Sequence, residues 1–395
     1  MVSDAAWRVE VYDADCALVG VCDVWTRLAV SLKHRAGGGW TLDLPADHPQ
    51  ADLFNRSRRI VVWTDWTTPG GIPLLSGPLT SMVTTTKDAS KPSMLTVTGI
   101  DDTALLADRI VLPVPTSQMW LQGDEAYWTD EGNAEGVIRR LVGYNAGTLG
   151  LSERRICDED PDDRLASPGS LYGSTRTVSA RFDNLLTLVN ELATTDNLAV
   201  KVYQDTAAQD LYLSVTTTTD LSSSVMLSFG VGTLQGATAS IGAPTATDVL
   251  LAGGGEGEDR VLLHRFDNAL SAAWGRRVEV FRDARDTSDL QILAERGDET
   301  LAEAAATAGL DLDPVDLPTQ RFGVDYNLGD TVRVELAGEV WTDIVTAVNI
   351  DVTAGGGAAV KPVVGNPDLA DTHSPVLYRR VRDLMRRIEA LERRV

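Results

Sequence analysis

Leu28, Val30 and Leu32 alternate with Arg27, Ala29, Ser31 and Lys33, and a period of two turns one strand face toward a core and the other toward water. Trp7, Val9 and Val11 repeat the alternation, and Ile60 to Trp66 is a run of β-branched and aromatic residues. Met94 to Ile100 predicts a further strand, closed by Gly99-Ile100-Asp101-Asp102. Turn signals such as Pro69-Gly70-Gly71 separate these runs. Short strands at this spacing predict a small antiparallel barrel or sandwich over residues 1–108.

From about residue 109 the period changes. Ala134, Val137, Ile138, Leu141 and Val142 fall on one face of a helix, and Leu185, Leu188, Val189 and Leu192 do the same behind Asp183 as a cap. Alternating strands at Val200-Lys201-Val202 and at Leu211, Leu213 and Val215 give these helices a sheet to lean on, so residues 109–221 read as an α+β domain. Between the helices, the acidic and Pro/Gly-rich stretch from Cys157 to Tyr172 predicts a surface loop. Residues 222–365 read as a second β domain, interrupted at about 266–318 by a helical insertion. Within it Ser288 to Gln291 fits a capping box, and the helix stripe of Leu290, Leu293, Ala294, Leu301, Ala304 and Ala305 is weakened midway by Gly297. Beyond Pro318 alternation returns in Val332, Val334 and Leu336, then in Ile344, Val348, Ile350 and Val352.

Pro362 to Pro375 reads as a linker, and residues 366–395 are expected to be linker plus helix. Leu377, Val381, Leu384, Ile388, Leu391 and Val395 are spaced 4, 3, 4, 3, 4, a heptad period that keeps an apolar seam facing a partner helix. Val381 and Ile388 at one core position with Leu384 and Leu391 at the other suit a two-stranded coil. Arg387-Ile388-Glu389-Ala390-Leu391-Glu392 resembles instead the short signature of trimeric coils, in which Arg387 of one helix pairs with Glu392 of its neighbour. A solitary helix packed on its own body is the third alternative. Seven arginines against Asp383, Glu389 and Glu392 give this segment a local charge of +4, read as solvated flanks of the coil. The fold class that emerges is β-rich α+β, with two antiparallel β domains, α+β material between and within them, and a C-terminal coiled-coil helix.

Composition changes this picture mainly by exclusion. With 57 acidic against 35 basic side chains in 395 residues, the net charge of −22 repels nucleic-acid phosphates and anionic membrane surfaces. No run reaches the roughly 18–20 apolar residues of a membrane span, and Asp4, Arg8 and Glu10 occupy the place of a signal peptide's apolar core, so synthesis in a cytoplasm without membrane insertion is expected. Cys16, Cys22 and Cys157 form no CxxC pair and read as buried thiols.

His34, His48, His264 and His373 stand singly, which leaves metallohydrolase spacings unfilled, and no nucleophile elbow, Walker loop or dinucleotide fingerprint is present. The run Gly253-Gly254-Gly255-Glu256-Gly257 puts a carboxylate where a phosphate would sit and reads as a turn. Asp158, Asp160 and Asp162 fit the first ligands of a calcium hand, but Asp163 replaces the turn glycine and Gly169 the bidentate Glu. No catalytic residue, metal or cofactor is therefore assigned. A rival reading is a carbohydrate-binding or wall-degrading protein, using exposed tryptophans or a carboxylate pair. Trp25, Trp40, Trp63, Trp66, Trp120, Trp128, Trp274 and Trp341 lie scattered among strand and loop patterns, which favours core and subunit contacts.

Tyr326-Asn327-Leu328-Gly329-Asp330-Thr331-Val332-Arg333-Val334, followed by Asp343-Ile344-Val345 and closed by Val360-Lys361-Pro362-Val363-Val364-Gly365, resembles the last barrel of the tail-tip (baseplate) hub proteins of long-tailed siphophages infecting Actinobacteria. These are relatives of the contractile-phage baseplate hubs. Gly329 supplies permissive dihedrals at the turn and Asp330 can bond nearby amides; Gly365 ends the strand pair. Gly39-Trp40-Thr41-Leu42-Asp43-Leu44-Pro45, Ser76-Gly77-Pro78-Leu79 and Trp274-Gly275-Arg276 fall where that family has similar segments. The resemblance spans residues 1–365. It implies two tube-like β-barrel domains per chain, and a homotrimer that offers six of them to the hexameric tail tube. It implies a structural, non-enzymatic virion protein of the tail tip. The partners implied are the distal tail protein and tail tube, the tape-measure C-terminus and other tail-tip or fibre proteins, with phage DNA passing only transiently through the channel.

Overall fold

The computed structural model describes residues 7–67, 72–86, 93–159, 172–285, 287–305, 307–314, 320–336, 339–355 and 357–365. Two compact units divide the chain. The first holds residues up to 225 with 316–332 and 347–361; the second holds 226–315, 333–346 and the residues from 362 on. The heptad segment, the turn Pro69-Gly70-Gly71 and the calcium-like loop from Asp160 to Gly169 lie outside the described residues.

In the first unit the alternating runs pair as their periodicity requires. Arg27–Lys33 lies antiparallel to Gly39–Pro45, which lies antiparallel to Met94–Ile100. The register sets Leu28 opposite Leu42 and Leu42 opposite Val97, so Leu28, Val30, Trp40, Leu42, Leu44, Leu95 and Val97 share one buried face. Beside Arg27–Lys33, residues 347–353 of the strand Glu339–Thr353 add another antiparallel member.

The strand Leu75–Thr85 changes partners part-way. Residues 75–78 pair with Arg59–Trp63 and residues 79–85 with Met94–Ile100, across a register shift between Leu79 and Ser81. An extra residue at such a point bends the strand and raises its twist. The sheet therefore turns and continues through Arg59–Trp63 to Arg8–Tyr12 and Leu18–Cys22. Arg59–Trp63 is buried on both faces, with Val61 and Trp63 packed against Tyr12.

The barrel or sandwich expected for this region is thus found as a bent antiparallel sheet that, among the described residues, does not close. Among the described residues Leu18–Cys22 is paired on one side only. Alternation marks the faces of strands and leaves open which strand ends as an edge, so closure was not readable from it.

In the same unit, the helices Ala134–Ala146 and Leu185–Thr195 share one core with the antiparallel pair Trp128–Asn133/Thr175–Ala180 and the hairpin Leu198–Asp205/Asp210–Thr217. Val137, Ile138, Leu141, Leu185, Val189 and Leu213 lie within that core. The second helix is capped by Asn184, whose Oδ1 accepts from the Thr187 N–H at 3.2 Å. Asp183 stands one residue too early for that role, and its carboxylate instead accepts from the Arg181 N–H.

In the second unit, Asp248–Ala252 is the middle strand of three, antiparallel to Leu262–Phe266 and parallel to Glu279–Asp283. The helix Leu290–Glu303 covers one face, with Leu293 against Val249 and Leu251. Asp289 caps that helix through the Gln291 N–H at 2.8 Å, displacing Ser288 from the role the sequence suggested. Gly297 is a packing requirement where the sequence suggested a weak point: a Cβ there would lie 2.5 Å from Arg265 Cγ and 2.7 Å from Leu251 Cδ1. Elsewhere in this unit Leu234–Gly242 pairs with Thr307–Pro314, and Met226–Ser228 runs parallel to part of Thr331–Leu336. The segment expected to be a helical insertion accordingly contains the helices Asn268–Trp274 and Leu290–Glu303 together with two strands.

Candidate assembly site

The sequence-selected turn forms a backbone clamp in the first unit. Gly329 adopts φ +91°, in the left-handed region that only glycine enters without cost. Asp330, nearly buried, accepts from the Thr219 N–H through Oδ1 at 3.0 Å and from the Asn327 N–H through Oδ2 at 2.8 Å. The strand entry at Thr331 is thereby tied to the end of the Asp210–Thr217 hairpin, since the Thr331 N–H also donates to Thr219 O. Gly365 belongs to the second unit. Its N–H donates to Ile344 O at 2.9 Å and its carbonyl accepts from the Thr346 hydroxyl. The structure thus joins Gly329 and Asp330 in one turn and assigns Gly365 to a separate one. Leu377, Val381, Leu384, Ile388, Leu391, Val395, Arg387 and Glu392 lie outside the described residues.

Beside the Gly329 turn, the first unit holds a half-open cavity of about 520 Å³ whose lining includes His34, Trp66, Leu74, Asp101, Lys201 and Leu328. Its walls come from six separated stretches of chain, so no local pattern marks it. Its ionisable groups act as posts. Lys201 donates to Pro73 O at 2.9 Å, and burial pulls its pKa down to about 8. Asp101 accepts from the Gly38 and Ala104 N–H groups, both at 2.8 Å, and burial raises it to about 6 despite those bonds. Burial, with Arg35 adjacent, lowers His34 to about 3, so its ring is neutral at physiological pH. Both Asp101 oxygens are already held by backbone amides, which makes this carboxylate a loop brace and a poor proton shuttle.

Among the described residues no cluster of three or more His, Cys, Asp or Glu side chains is placed to hold a metal ion. Asp158, the first residue of the calcium-like run, pairs with Arg155. The glycine run closes as a turn: Gly254 donates to Thr287 O, and Arg260 donates to Gly253 O. The three thiols are buried, and burial raises Cys22 to about 11 and Cys157 to about 12.

Two strand surfaces are exposed among the described residues. From Ser81 to Thr85 the long bent strand is exposed, Met82 and Val83 included. The edge strand Leu18–Cys22 leaves Leu18, Val19 and Val21 at the surface. A signal was present in the sequence: Thr80 to Thr86 is β-prone yet lacks the alternation of a half-buried strand.

Among the described residues the first unit thus combines a bent antiparallel sheet and a small α+β body with braced turns and exposed strand surfaces. The sequence profile of the Siphovirus ReqiPepy6 Gp37-like proteins matches residues 8–366, and the chain belongs to that family. Its fold is similar to that of the 43 kDa tail protein of prophage MuSo2 from Shewanella oneidensis, with TM-score 0.51 and 13% identity over 92% of this chain and 99% of that one. Weaker likenesses link it to the tail protein from Neisseria meningitidis MC58 (TM-score 0.49, 12% identity, 92% and 98% of the two chains). Prophage tail protein gp18 from Listeria monocytogenes follows (TM-score 0.46, 9% identity, 96% and 99%). A comparison with curated protein sequences gave no match.

Proposed function

We propose that this protein is the non-enzymatic hub of a siphophage tail tip, assembled as a homotrimer that caps the hexameric tail tube and surrounds the channel through which DNA leaves, in a phage of Actinobacteria. The observation that carries the reading is the bent antiparallel sheet with an open edge and exposed strand surface, in a chain of a siphovirus family whose fold a prophage tail protein shares. In this reading residues 1–108 and 222–365 are the two tube-like β domains, the latter interrupted at 266–318, with residues 109–221 as the α+β domain between them. Gly329, Asp330 and Gly365 brace turns of the second tube-like domain. Six such domains in a trimer face the tube and distal tail protein, and the tape-measure C-terminus and tail-tip or fibre proteins complete the contacts.

The helix within 366–395 closes the trimer through Leu377, Val381, Leu384, Ile388, Leu391 and Val395, with Arg387 of one copy paired to Glu392 of the next. Three heptads are marginal alone, so the preceding domains must reinforce the coil. Electron microscopy of the purified chain is expected to show threefold rings with a pseudo-sixfold outline; particles that stay monomeric in light scattering would overturn the reading. Deleting Ser374 to Val395 is expected to weaken the trimer, and an equally tight truncated trimer would remove the seam from it. Release of fragments from host peptidoglycan would favour the wall-degrading alternative.

A further inference from the structure

Residues Val114 to Gln122 form a loop held shut by one side chain. The Gln122 amide oxygen accepts from the Val114 N–H at 2.8 Å, and its NH₂ group donates to Val114 O at 3.0 Å, Ser117 O at 3.2 Å and Gln118 O at 3.0 Å. Gln122 itself is buried, whereas Met119, Trp120 and Leu121 at the apex point outward, Trp120 with 78% of its surface exposed. Tyr127 is exposed nearby in sequence. A core would hide such residues and a flexible loop would move them; here they are shown to solvent on a braced frame. A loop already ordered loses little entropy when it docks, and Trp is the side chain most often found at the energetic centre of an interface. Between Arg109 and Arg139 the chain has no basic residue, and Asp124 and Glu125 follow the apex after Gln122 and Gly123. The knob is apolar with an acidic flank.

A second exposed apolar surface is flat. Among the described residues, the three-stranded sheet of the second unit is covered on one face by helix Leu290–Glu303. Its other face carries Leu250, Leu262, Phe266 and Phe281, the last 60% exposed. The register sets Leu250 between His264 and Phe281, and the His264 and Phe266 rings lie 5.1 Å apart. These side chains leave on the order of 400 Å² of apolar surface, at the scale where exposed patches on soluble chains mark interaction sites. Arginines and carboxylates rim the patch together, since the register sets Asp248, Glu279 and Asp283 on the same face. Arg260 lies over the Phe281 ring at 5.9 Å, and Arg277 and Arg285 each meet one carboxylate and still present much of the guanidinium to solvent.

We propose that the Met119–Leu121 knob of one copy docks on the Leu250–Phe281 face of a neighbouring copy. The inference rests on the threefold reading above and names the contact that reading lacks. Closed rings need two unlike, complementary patches on each chain, because a patch that pairs with itself yields a twofold dimer. Knob on knob, or face on face, would give that dimer. Knob on face gives a ring and covers both apolar surfaces. The buried patch alone falls short of the roughly 800 Å² per partner of a standard interface, so this contact adds to the coil and strand-surface contacts.

The test uses the full-length chain. Trp120→Asp is expected to weaken trimerisation about tenfold or more in sedimentation equilibrium and to leave the thermal midpoint of the dilute monomer unchanged. Trp120→Cys and Phe281→Cys combined in one chain, treated with a bismaleimide cross-linker, are expected to give covalent dimers and trimers; the wild-type thiols are buried. Single variants should give neither. A threefold ring that is insensitive to Trp120→Asp would overturn the docking contact and leave the hub reading standing, as would cross-links confined to one chain or formed by Trp120→Cys alone. A wild-type chain that never trimerises would overturn both.

Discussion

A Cβ placed on Gly329 would lie 2.7 Å from both Cε1 and Nδ1 of His34, and 2.8 Å from Thr218 Cγ2. The turn before the Thr331–Leu336 strand thus combines two demands, a left-handed backbone and a close approach to an imidazole. Gly329→Ala is expected to cost about 2 kcal/mol or more. Gly329→Asn, which tolerates positive φ, should rescue little, since the steric demand remains. Thermal unfolding of both variants checks this; a wild-type midpoint for the Asn variant would show that backbone conformation alone matters.

Arg59 Nη2 reaches Asp102 Oδ1 at 2.5 Å, and both side chains are buried. Breaking such a pair leaves one charge without compensation, so Asp102→Ala is expected to destabilise by about 3–5 kcal/mol. Arg59→Met with Asp102→Leu should recover most of that loss, because an apolar pair needs no desolvation of charge. A double-mutant cycle in urea measures the coupling, and additive losses would contradict it.

Acid stability should carry two opposed slopes. His34 is held near 3 against an ordinary 6.5, so the unfolded chain takes up that proton first; its contribution is full above pH 6.5 and is lost as pH falls toward 3. Asp101 is raised to about 6 from 3.8, so the folded chain takes up that proton first and stability rises as pH falls from 6 to 3.8. Between pH 3.8 and 6 the two largely cancel, each at up to about 1.4 kcal/mol per pH unit. His34→Gln removes one slope, and the variant is expected to gain stability on acidification from pH 6 to 4 relative to wild type. Parallel urea midpoints for the two proteins across that range would refute the assignment.

Gly297→Ala sets intrinsic preference against packing. Helix propensity alone favours alanine by about 1 kcal/mol, but the new methyl would press on Arg265 Cγ and Leu251 Cδ1. Net destabilisation is expected, read as a lower unfolding midpoint; a rise would mean that the helix Leu290–Glu303 lifts off the sheet without penalty.

Local periodicity carried the strands Arg27–Lys33, Met94–Ile100, Leu198–Asp205 and Asp210–Thr217 and both helices of the first unit, because burial of one face imposes a period on the residues that supply it. Leu18–Cys22, Trp128–Asn133 and Thr175–Ala180 were not legible, and the Gly329-Asp330 turn stood out through the family resemblance. Met94–Ile100 was legible to the residue. Glu279–Asp283 was not, because Phe281 faces solvent while Arg282 lies toward the helix and bonds Arg296 O and Thr300, which inverts the expected pattern. Where the first sheet bends, that it stays open among the described residues, and how His34, Asp101 and Lys201 come to line one cavity all depend on pairings between distant segments. The outward apolar surfaces around Trp120 and Phe281 belong with these. Hydrophobicity along a chain reports that a residue seeks cover, and only the folded arrangement tells whether its own chain provides it.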